Sequence, residues 1–166
     1  MKKGLVFANG EITEREIRRI RDLSFDVIIA ADGGALKALR MGYPPHVVVG
    51  DLDSITPEFQ EQYPDIRFIR KPSQELNDLE KTLMFCQSEG LTHLTLLGIT
   101  GERVDHTLNN FSVLCRYDRF FHFTIQDRYG EIYLVRERWE YQGEPGQLIS
   151  LIPLGEVKGV TTEGLA

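Results

Sequence analysis

The chain has 166 residues, of which 42% are hydrophobic and 27% charged, and its formal net charge is −6. This length predicts one ordinary domain, or one domain with a small or incomplete second one. The composition excludes a disordered chain. The negative net charge argues against a nucleic-acid partner. A nucleotide substrate remains possible, because a metal ion can supply positive charge locally. We expect no membrane segment, because the apolar run at residues 5–8 is too short for a signal-peptide core or a span.

Two cysteines, Cys86 and Cys115, are the only ones in the chain. Their wide separation fits neither a CxxC zinc site nor a disulfide framework. We interpret both as plain thiols of a reducing compartment, and we therefore expect a cytoplasmic protein.

Short apolar runs alternate with helical patterns up to about residue 127. Helix starts are indicated by the capping box Thr13-x-x-Glu16, by Thr56-Pro57 and by Asn77-x-x-Glu80. Near-solid apolar strands separated by helices are typical of a parallel sheet covered on both faces, which places ligands at the carboxyl ends of its strands. The predicted strands are residues 4–8, 26–31, 46–49, 66–69, 94–97 and 121–125, and the predicted helices include 35–41 and 105–116.

The pattern changes after Asp127, where glycine- and proline-rich breaks separate short strand candidates. These candidates are residues 132–135, 140–142, 148–152 and 157–162. The sequence therefore predicts two domains: an α/β domain at 1–127, and the incomplete start of an antiparallel β-sandwich at 128–166.

Acidic residues follow the third predicted strand in the segment Gly50-Asp51-Leu52-Asp53-Ser54. In an extended chain, residues i and i+2 point to the same side, so Asp51 and Asp53 would aim two carboxylates at one spot. Mg²⁺ with oxygen ligands would resolve their repulsion, although a turn rich in Asp and Gly is the alternative. Asp78, at the start of a predicted helix, could be the third ligand, or it could complement the helix dipole.

The second predicted strand ends in Asp32-Gly33-Gly34. Two glycines before a helix would allow the backbone to approach a phosphate closely. They would equally make a tight turn, and the motif alone does not decide between the two.

Another glycine-containing loop follows the fifth predicted strand. Gly98 and Gly101 would permit a loop near a ligand, and Arg103 could hold a phosphate with two hydrogen bonds. Asp105 and Asn109, four residues apart, would share one helix face. Alternatively, the aspartate caps the helix and the arginine pairs with a neighbouring acid.

Several absences narrow the chemistry further. The chain has neither GxxxxGK[ST] nor GxGxxG, and it lacks the HRD and DFG pair of protein kinases. If it handles ATP, it does so with aspartate-rich loops. His106, beside the loop above, is by itself more typical of a surface residue than of a catalytic one.

Taken together and in order, several segments resemble the thiamine pyrophosphokinase family over nearly the whole chain. They are Ala31–Gly34, Gly50–Ser54, Gln74–Lys81, Gly101–His106 with Asn109, Ser150–Leu154 and Gly159–Leu165. The chain departs mildly from the family at Glu75 and Asn77, and Glu102 replaces a frequent second glycine.

The resemblance implies an enzyme that transfers pyrophosphate from ATP to thiamine, giving AMP and thiamine diphosphate, with Mg²⁺ as cofactor. It implies a homodimer whose β-sandwich domain helps to bind thiamine and to form the dimer. Two alternatives remain: another Mg²⁺-dependent nucleotidyl or phosphoryl transferase, and a non-enzymatic phospho-receiver module. The second fits poorly, since that module needs an acidic pair after its first strand.

The resemblance also implies residue roles. The residues with catalytic roles would be Asp51, Asp53, Asp78, Arg103 and Asp105, and the first three of these would coordinate Mg²⁺. Gln74 and Asp105 would contact thiamine or the transferred group. The remaining substrate and nucleotide contacts would come from Asp32, Gly33, Arg103, His106, Asn109 and Ser150. Because the family continues with an aromatic residue that stacks on thiamine, we expect the natural chain to extend beyond Ala166.

Overall fold

The computed structural model describes residues 1–101 and 103–165, so Glu102 and Ala166 lie outside the described residues. The chain divides into two compact units, Met1–Leu134 and Val135–Ala166. The predicted boundary after Asp127 differs from this division, because a seventh strand adds residues 130–133 to the first unit.

The first unit contains a seven-stranded sheet in the order β4-β3-β2-β1-β5-β6-β7. Neighbours among β1 to β6 pair in parallel, and β7 is antiparallel to β6. The strands are β1 (Lys3–Phe7), β2 (Val27–Ala31), β3 (Val47–Gly50), β4 (Arg67–Arg70), β5 (His93–Leu97), β6 (His122–Asp127) and β7 (Gly130–Tyr133). The parallel strands confirm the predicted α/β fold.

Five helices connect these strands in the described part of the unit: α1 (Glu14–Ile20), α2 (Gly34–Arg40), α3 (Pro57–Gln62), α4 (Asp78–Ser88) and α5 (Val104–Tyr117). The helix-start predictions are confirmed. Thr13 forms the capping box with Glu16, and the side chains of Thr56 and Asn77 accept from backbone amides of α3 and α4. These caps satisfy amides that a helix start leaves without partners.

Both faces of the sheet are covered, which explains the near-solid apolar strands. Alternate residues of a strand point to opposite faces, so Val6 lies in one core cluster with Leu83 and Leu114, while Phe7 lies in the other with Ile17. On α5 the deeply buried residues are Val113 and Leu114.

The connections place a candidate site at the carboxyl ends of the strands. The chain builds β1 to β4 in one direction across the sheet and then returns to place β5 on the other side of β1. Sheets of this kind bind ligands outside the carboxyl ends of their strands, near such a reversal.

The second unit carries no strand within residues 135–165. The strand predictions at 140–142, 148–152 and 157–162 are therefore wrong, and the one at 132–135 corresponds to β7, which pairs with β6 instead of starting a separate sheet. Short strands need partners and a shared apolar face, whereas Leu148 is 90% exposed and Ile152 is 75% exposed.

Among the described residues, the model has no helix both long enough and apolar enough to cross a membrane.

Candidate functional site

Three aspartates from separate segments meet at the carboxyl edge of the sheet. Asp32 follows β2, Asp51 follows β3, and Asp78 opens α4. Each offers one carboxylate oxygen, and these three oxygens all lie within 4.8 Å of one another. We call Asp32, Asp51 and Asp78 the aspartate cluster. Oxygen ligands from three segments are the donor set that a hard cation prefers.

Asp32 is the most buried member of the cluster, at 6% exposure. Its backbone has φ of 40°, a left-handed conformation that non-glycine residues rarely adopt, and its amide donates to the carbonyl of Val49 at 2.9 Å. Its Oδ1 atom is the one buried side-chain oxygen or nitrogen without a hydrogen-bond partner in the described part of the chain. A buried carboxylate oxygen left unpaired is costly, and an oxygen-seeking cation would satisfy it.

Gly50, the last residue of β3, lets the cluster close. A Cβ atom at this position would lie 2.8 Å from Cβ of Asp32 and 3.3 Å from Oδ1 of Asp78. Any side chain here would therefore push these two carboxylates apart.

Lys81 supplies the positive charge at the cluster. Its Nζ atom lies 3.0 Å from Oδ1 of Asp78 and 3.6 Å from Oδ2 of Asp51, and its side chain is 3% exposed. No predicted site residue corresponds to Lys81, although its spacing three residues after Asp78 on one helix face is a signal for such a pair.

Burial and neighbouring charges shift both partners of this pair. Burial raises the pKa of Asp78, the hydrogen bond and charge of Lys81 oppose that rise, and the charges of Asp51 and Asp32 add to it. Burial alone would lower the pKa of Lys81, but Asp78 and Asp51 outweigh it and the pKa is raised. Displaced carboxyl pKa values are typical of sites that bind cations or carry chemistry.

Asp53 lies apart from the aspartate cluster. The strand ends at Gly50, and Leu52 has φ of 65°, so the chain is not extended across 51–53 and the expected same-side arrangement does not form. Asp53 is exposed, and its amide donates to Oδ1 of Asp51 at 3.2 Å. Residues 51–53 therefore form a turn, which was the alternative to the same-side arrangement. The third carboxylate beside Asp51 and Asp78 is that of Asp32.

The two glycines after Asp32 lie close to β1 and to the loop that follows it. A Cβ atom on Gly33 would lie 2.8 Å from Nδ2 of Asn9, and one on Gly34 would lie 2.2 Å from the carbonyl oxygen of Phe7. Close packing of α2 against β1 thus accounts for Gly34, whereas the atoms nearest a Cβ atom on Gly33 belong to the side chain of Asn9.

The predicted nucleotide residues at the start of α5 are exposed. Arg103 forms two hydrogen bonds to the carboxylate of Asp105, and both side chains face solvent. This arginine holds the pKa of Asp105 down at about 2. His106 and Asn109 are likewise exposed, and none of the four belongs to the aspartate cluster.

The structure also shows a polar residue that the sequence analysis missed. Asn110 donates to the carbonyl of Ile99 at 2.7 Å and accepts from Nδ2 of Asn77 at 3.4 Å. It thereby ties the loop after β5 to the start of α4, the helix that carries Asp78. Its position next to Asn109 in sequence gave no signal of this role.

Two further predicted residues lie outside the cluster. Gln74 is exposed in the connection between β4 and α4. Ser150 is exposed in the second unit.

Two cavities open in the first unit. One, of about 200 Å³, is lined by Lys71, Pro72, Ser73, Leu76, Lys81 and Met84, and so shares Lys81 with the aspartate cluster. The other, of about 380 Å³, is lined by residues that follow β1, β5 and β6, together with residues of α1 and α5, among them Glu11, Thr100, Thr107 and Tyr129.

The aspartate cluster fits a magnesium ion. It offers three carboxylates, one buried oxygen without a protein partner, and a glycine that keeps the space between them clear. Mg²⁺ in such sites is held by a few carboxylates together with water and substrate phosphates. The arrangement suits a reaction in which phosphate charge must be neutralised and held in place.

Comparisons with known proteins identify the family of the chain. The family model for the thiamin pyrophosphokinase catalytic domain matches residues 23–126. Thiamine pyrophosphokinase 1 from Oryza sativa subsp. japonica is 28% identical over 163 residues, covering 81% of this chain and 61% of the relative.

Solved structures show the same fold. Thiamine pyrophosphokinase from Bacillus subtilis has a TM-score of 0.63 at 22% identity, covering 76% of this chain and 61% of that one. Thiamin pyrophosphokinase from Geobacillus thermodenitrificans has a TM-score of 0.60 at 25% identity, covering 77% of this chain and 60% of that one. The chain spans about three fifths of the length of these relatives. Because the family model matches more than half of its residues, the chain belongs to the thiamin pyrophosphokinase catalytic-domain family.

Proposed function

We propose that this chain transfers a pyrophosphoryl group from ATP to thiamine in a magnesium-dependent reaction, giving AMP and thiamine diphosphate. The observation that carries the proposal is the aspartate cluster, with its unpartnered Asp32 oxygen, in a chain of this family. The names of the relatives support thiamine as the acceptor.

Asp32, Asp51 and Asp78 would hold the magnesium ion. When bound, the ion would neutralise charge on the phosphate chain. The resemblance assigns Asp53 to the metal as well. Asp53 is exposed on the turn after Asp51 and lies outside the aspartate cluster, so Asp32 replaces it in the set of metal ligands that we propose.

The rest of the protein would position the reactants. The hydroxyl oxygen of thiamine attacks the β-phosphorus of ATP, the bond from that phosphorus to the oxygen bridging the α- and β-phosphates breaks, AMP leaves with that oxygen, and the hydroxyl proton passes to solvent or to a base. A transfer of this kind depends on alignment and charge neutralisation more than on a covalent intermediate.

We place the phosphate chain of ATP beside the aspartate cluster. Its nucleoside would lie toward the cavity of about 380 Å³ at the ends of β1 and β5, because the strand order reverses there. Arg103, His106 and Asn109, at the start of α5, would contact the nucleotide from the outside. In this arrangement Arg103 must leave Asp105 to reach a phosphate.

For the acceptor, we propose that Gln74 and Asp105 contact thiamine or the transferred group. We further propose that the segment from residue 128 onward, which includes Ser150, serves thiamine binding and dimer formation, and that the active protein is a cytoplasmic homodimer. The family resemblance supports these assignments. The cytoplasmic location is supported by the two cysteines, which form no disulfide.

A direct test follows the phosphorus atoms. ATP labelled with ³²P at the β-position is incubated with the protein, Mg²⁺ and thiamine, and the products are separated by chromatography. The label should appear in thiamine diphosphate. When thiamine is replaced by another primary alcohol, no labelled diphosphate of that alcohol should form. Equal labelling of other alcohols would favour a general magnesium-dependent transferase instead.

A further inference from the structure

Lys81 occupies the place next to the aspartate cluster where a cation is needed. The side chain of Lys81 is 3% exposed, and its ammonium contacts Asp78 at 3.0 Å and Asp51 at 3.6 Å. A buried ammonium is costly unless it is paired, so these two carboxylates are what keep the charge of Lys81 inside the protein.

The ammonium compensates only part of the charge. The cluster holds three carboxylates, Lys81 supplies one positive charge, and Oδ1 of Asp32 still lacks a hydrogen-bond partner. A divalent cation bound by the same oxygens would compensate the rest. It would also lie close to the ammonium, and two cations on one pair of carboxylates repel each other.

The side chain of Lys81 also lines the cavity of about 200 Å³, together with Lys71, Pro72, Ser73, Leu76 and Met84. The surface of this cavity is almost entirely apolar, so it offers a displaced ammonium little polar surface. Asp51 and Asp78 are therefore the carboxylates for which the ammonium and a metal ion would compete.

The helix that carries Lys81 is firmly anchored at its start. Asn77 caps α4 through the amide of Glu80 at 2.8 Å, and Thr82 donates to the carbonyl of Asp78 at 2.7 Å. A change in the partners of Lys81 is therefore a movement of its long side chain rather than of the helix.

We propose that Lys81 is a resident cation of the aspartate cluster, and that a divalent metal bound by the same carboxylates displaces its ammonium from Asp51 and Asp78. This inference rests on the proposed metal site. It makes Lys81 a positioning residue that sets metal affinity by competition.

Metal binding without nucleotide tests the competition. Calorimetry measures the Kd of Mn²⁺, as a probe for Mg²⁺, in the wild-type chain, Lys81→Met, Lys81→Arg and Lys71→Met. Lys81→Met should bind Mn²⁺ about tenfold more tightly, which corresponds to about 1.4 kcal/mol. Lys81→Arg keeps the charge and should stay within about threefold of wild type. So should Lys71→Met, the matched control from the same cavity.

A second measurement uses the wild-type protein and does not depend on how the variants fold. The side-chain ammonium resonances of ¹⁵N-labelled lysines are followed by NMR during addition of Mg²⁺. The Lys81 resonance should shift or broaden as its carboxylate partners are lost. Lys37, whose Nζ atom donates to the carbonyls of Asn9 and Gly10, is the internal control and should not change.

The outcomes separate the two claims. Unchanged or weaker Mn²⁺ binding by Lys81→Met, or an unchanged Lys81 resonance at saturating Mg²⁺, would overturn the resident-cation inference while leaving the metal site intact. If neither the wild-type chain nor Asp78→Asn bound Mn²⁺, the metal site itself would be overturned and the inference with it.

Discussion

Gly50 and Asp32 approach so closely that a Cβ atom on the glycine would lie 2.8 Å from Cβ of the aspartate. Real Cβ atoms essentially never come so near, so Gly50→Ala must move Asp32, Asp78 or both. We expect this variant to lose about tenfold or more in Mn²⁺ affinity and about 1–3 kcal/mol of stability. Calorimetry and urea denaturation measure the two effects.

Gly130→Ala is the matched control, because a Cβ atom at Gly130 meets nothing within 4 Å. It should leave metal affinity unchanged. Wild-type Mn²⁺ binding by Gly50→Ala would mean that the aspartate cluster does not need its observed spacing.

The cluster also reassigns two aspartates, since the family resemblance gives the metal to Asp53 and the nucleotide to Asp32. Asp32→Asn should weaken Mn²⁺ binding on the order of 10²-fold, because Asp32 contributes a buried oxygen that has no protein partner. Asp53→Asn should change metal affinity less than about threefold, because its side chain is exposed on the turn after Leu52. Calorimetric Kd values of Mn²⁺ for the two variants test this assignment. If Asp53→Asn weakened binding more than Asp32→Asn, Asp53 and not Asp32 would be the metal ligand.

The pair of Arg103 and Asp105 gives a prediction for pH. The arginine lowers the pKa of Asp105 from its ordinary 3.8 to about 2. Because folding lowers this pKa, the stabilisation from the ionised pair is complete above about pH 4 and is lost as the pH falls through about 2. In a carboxyl ¹³C NMR titration, Arg103→Gln should raise the Asp105 midpoint toward 3.8.

Arg116 lies on α5, and Arg116→Gln, which removes its ion pair with Glu80 of α4, should leave that midpoint in place. If Arg103→Gln also left it in place, the pair would not be the cause of the low pKa.

Gln74 and Asp78 should produce different kinetic defects, since we propose that one contacts thiamine and the other holds metal. Gln74→Ala should mainly raise KM for thiamine, whereas Asp78→Asn should mainly lower kcat and shift the dependence on Mg²⁺. Steady-state assays at several Mg²⁺ concentrations measure both. The same defect in both variants would contradict the assignment.

Local signals in the sequence predict much of the α/β unit. The caps at Thr13, Thr56 and Asn77 start helices where expected, because each satisfies amides of its own helix and needs no distant partner. The strands were recognisable because burial on both faces requires apolar residues at nearly every position.

The site was predicted less completely, because it depends on contacts distant in sequence. Asp51 and Asp53 would point to the same side only in an extended chain, and Leu52 between them has a left-handed conformation. Asp32 joins the aspartate cluster through pairing of β2 with β3, which no local pattern reveals. Beyond residue 134, short runs between glycine- and proline-rich breaks predict strands, but strands also need partners, and none forms within 135–165.

Release of AMP from ATP tests the central claim most directly. The wild-type chain and Asp78→Asn are incubated with ATP and Mg²⁺, with and without thiamine, and AMP is measured by a coupled enzymatic assay. Our account predicts thiamine-dependent AMP release by the wild-type chain that EDTA abolishes and that Asp78→Asn lowers on the order of 10²-fold, about 3 kcal/mol of barrier. AMP release that is independent of thiamine, or unaffected by Asp78→Asn, would contradict it.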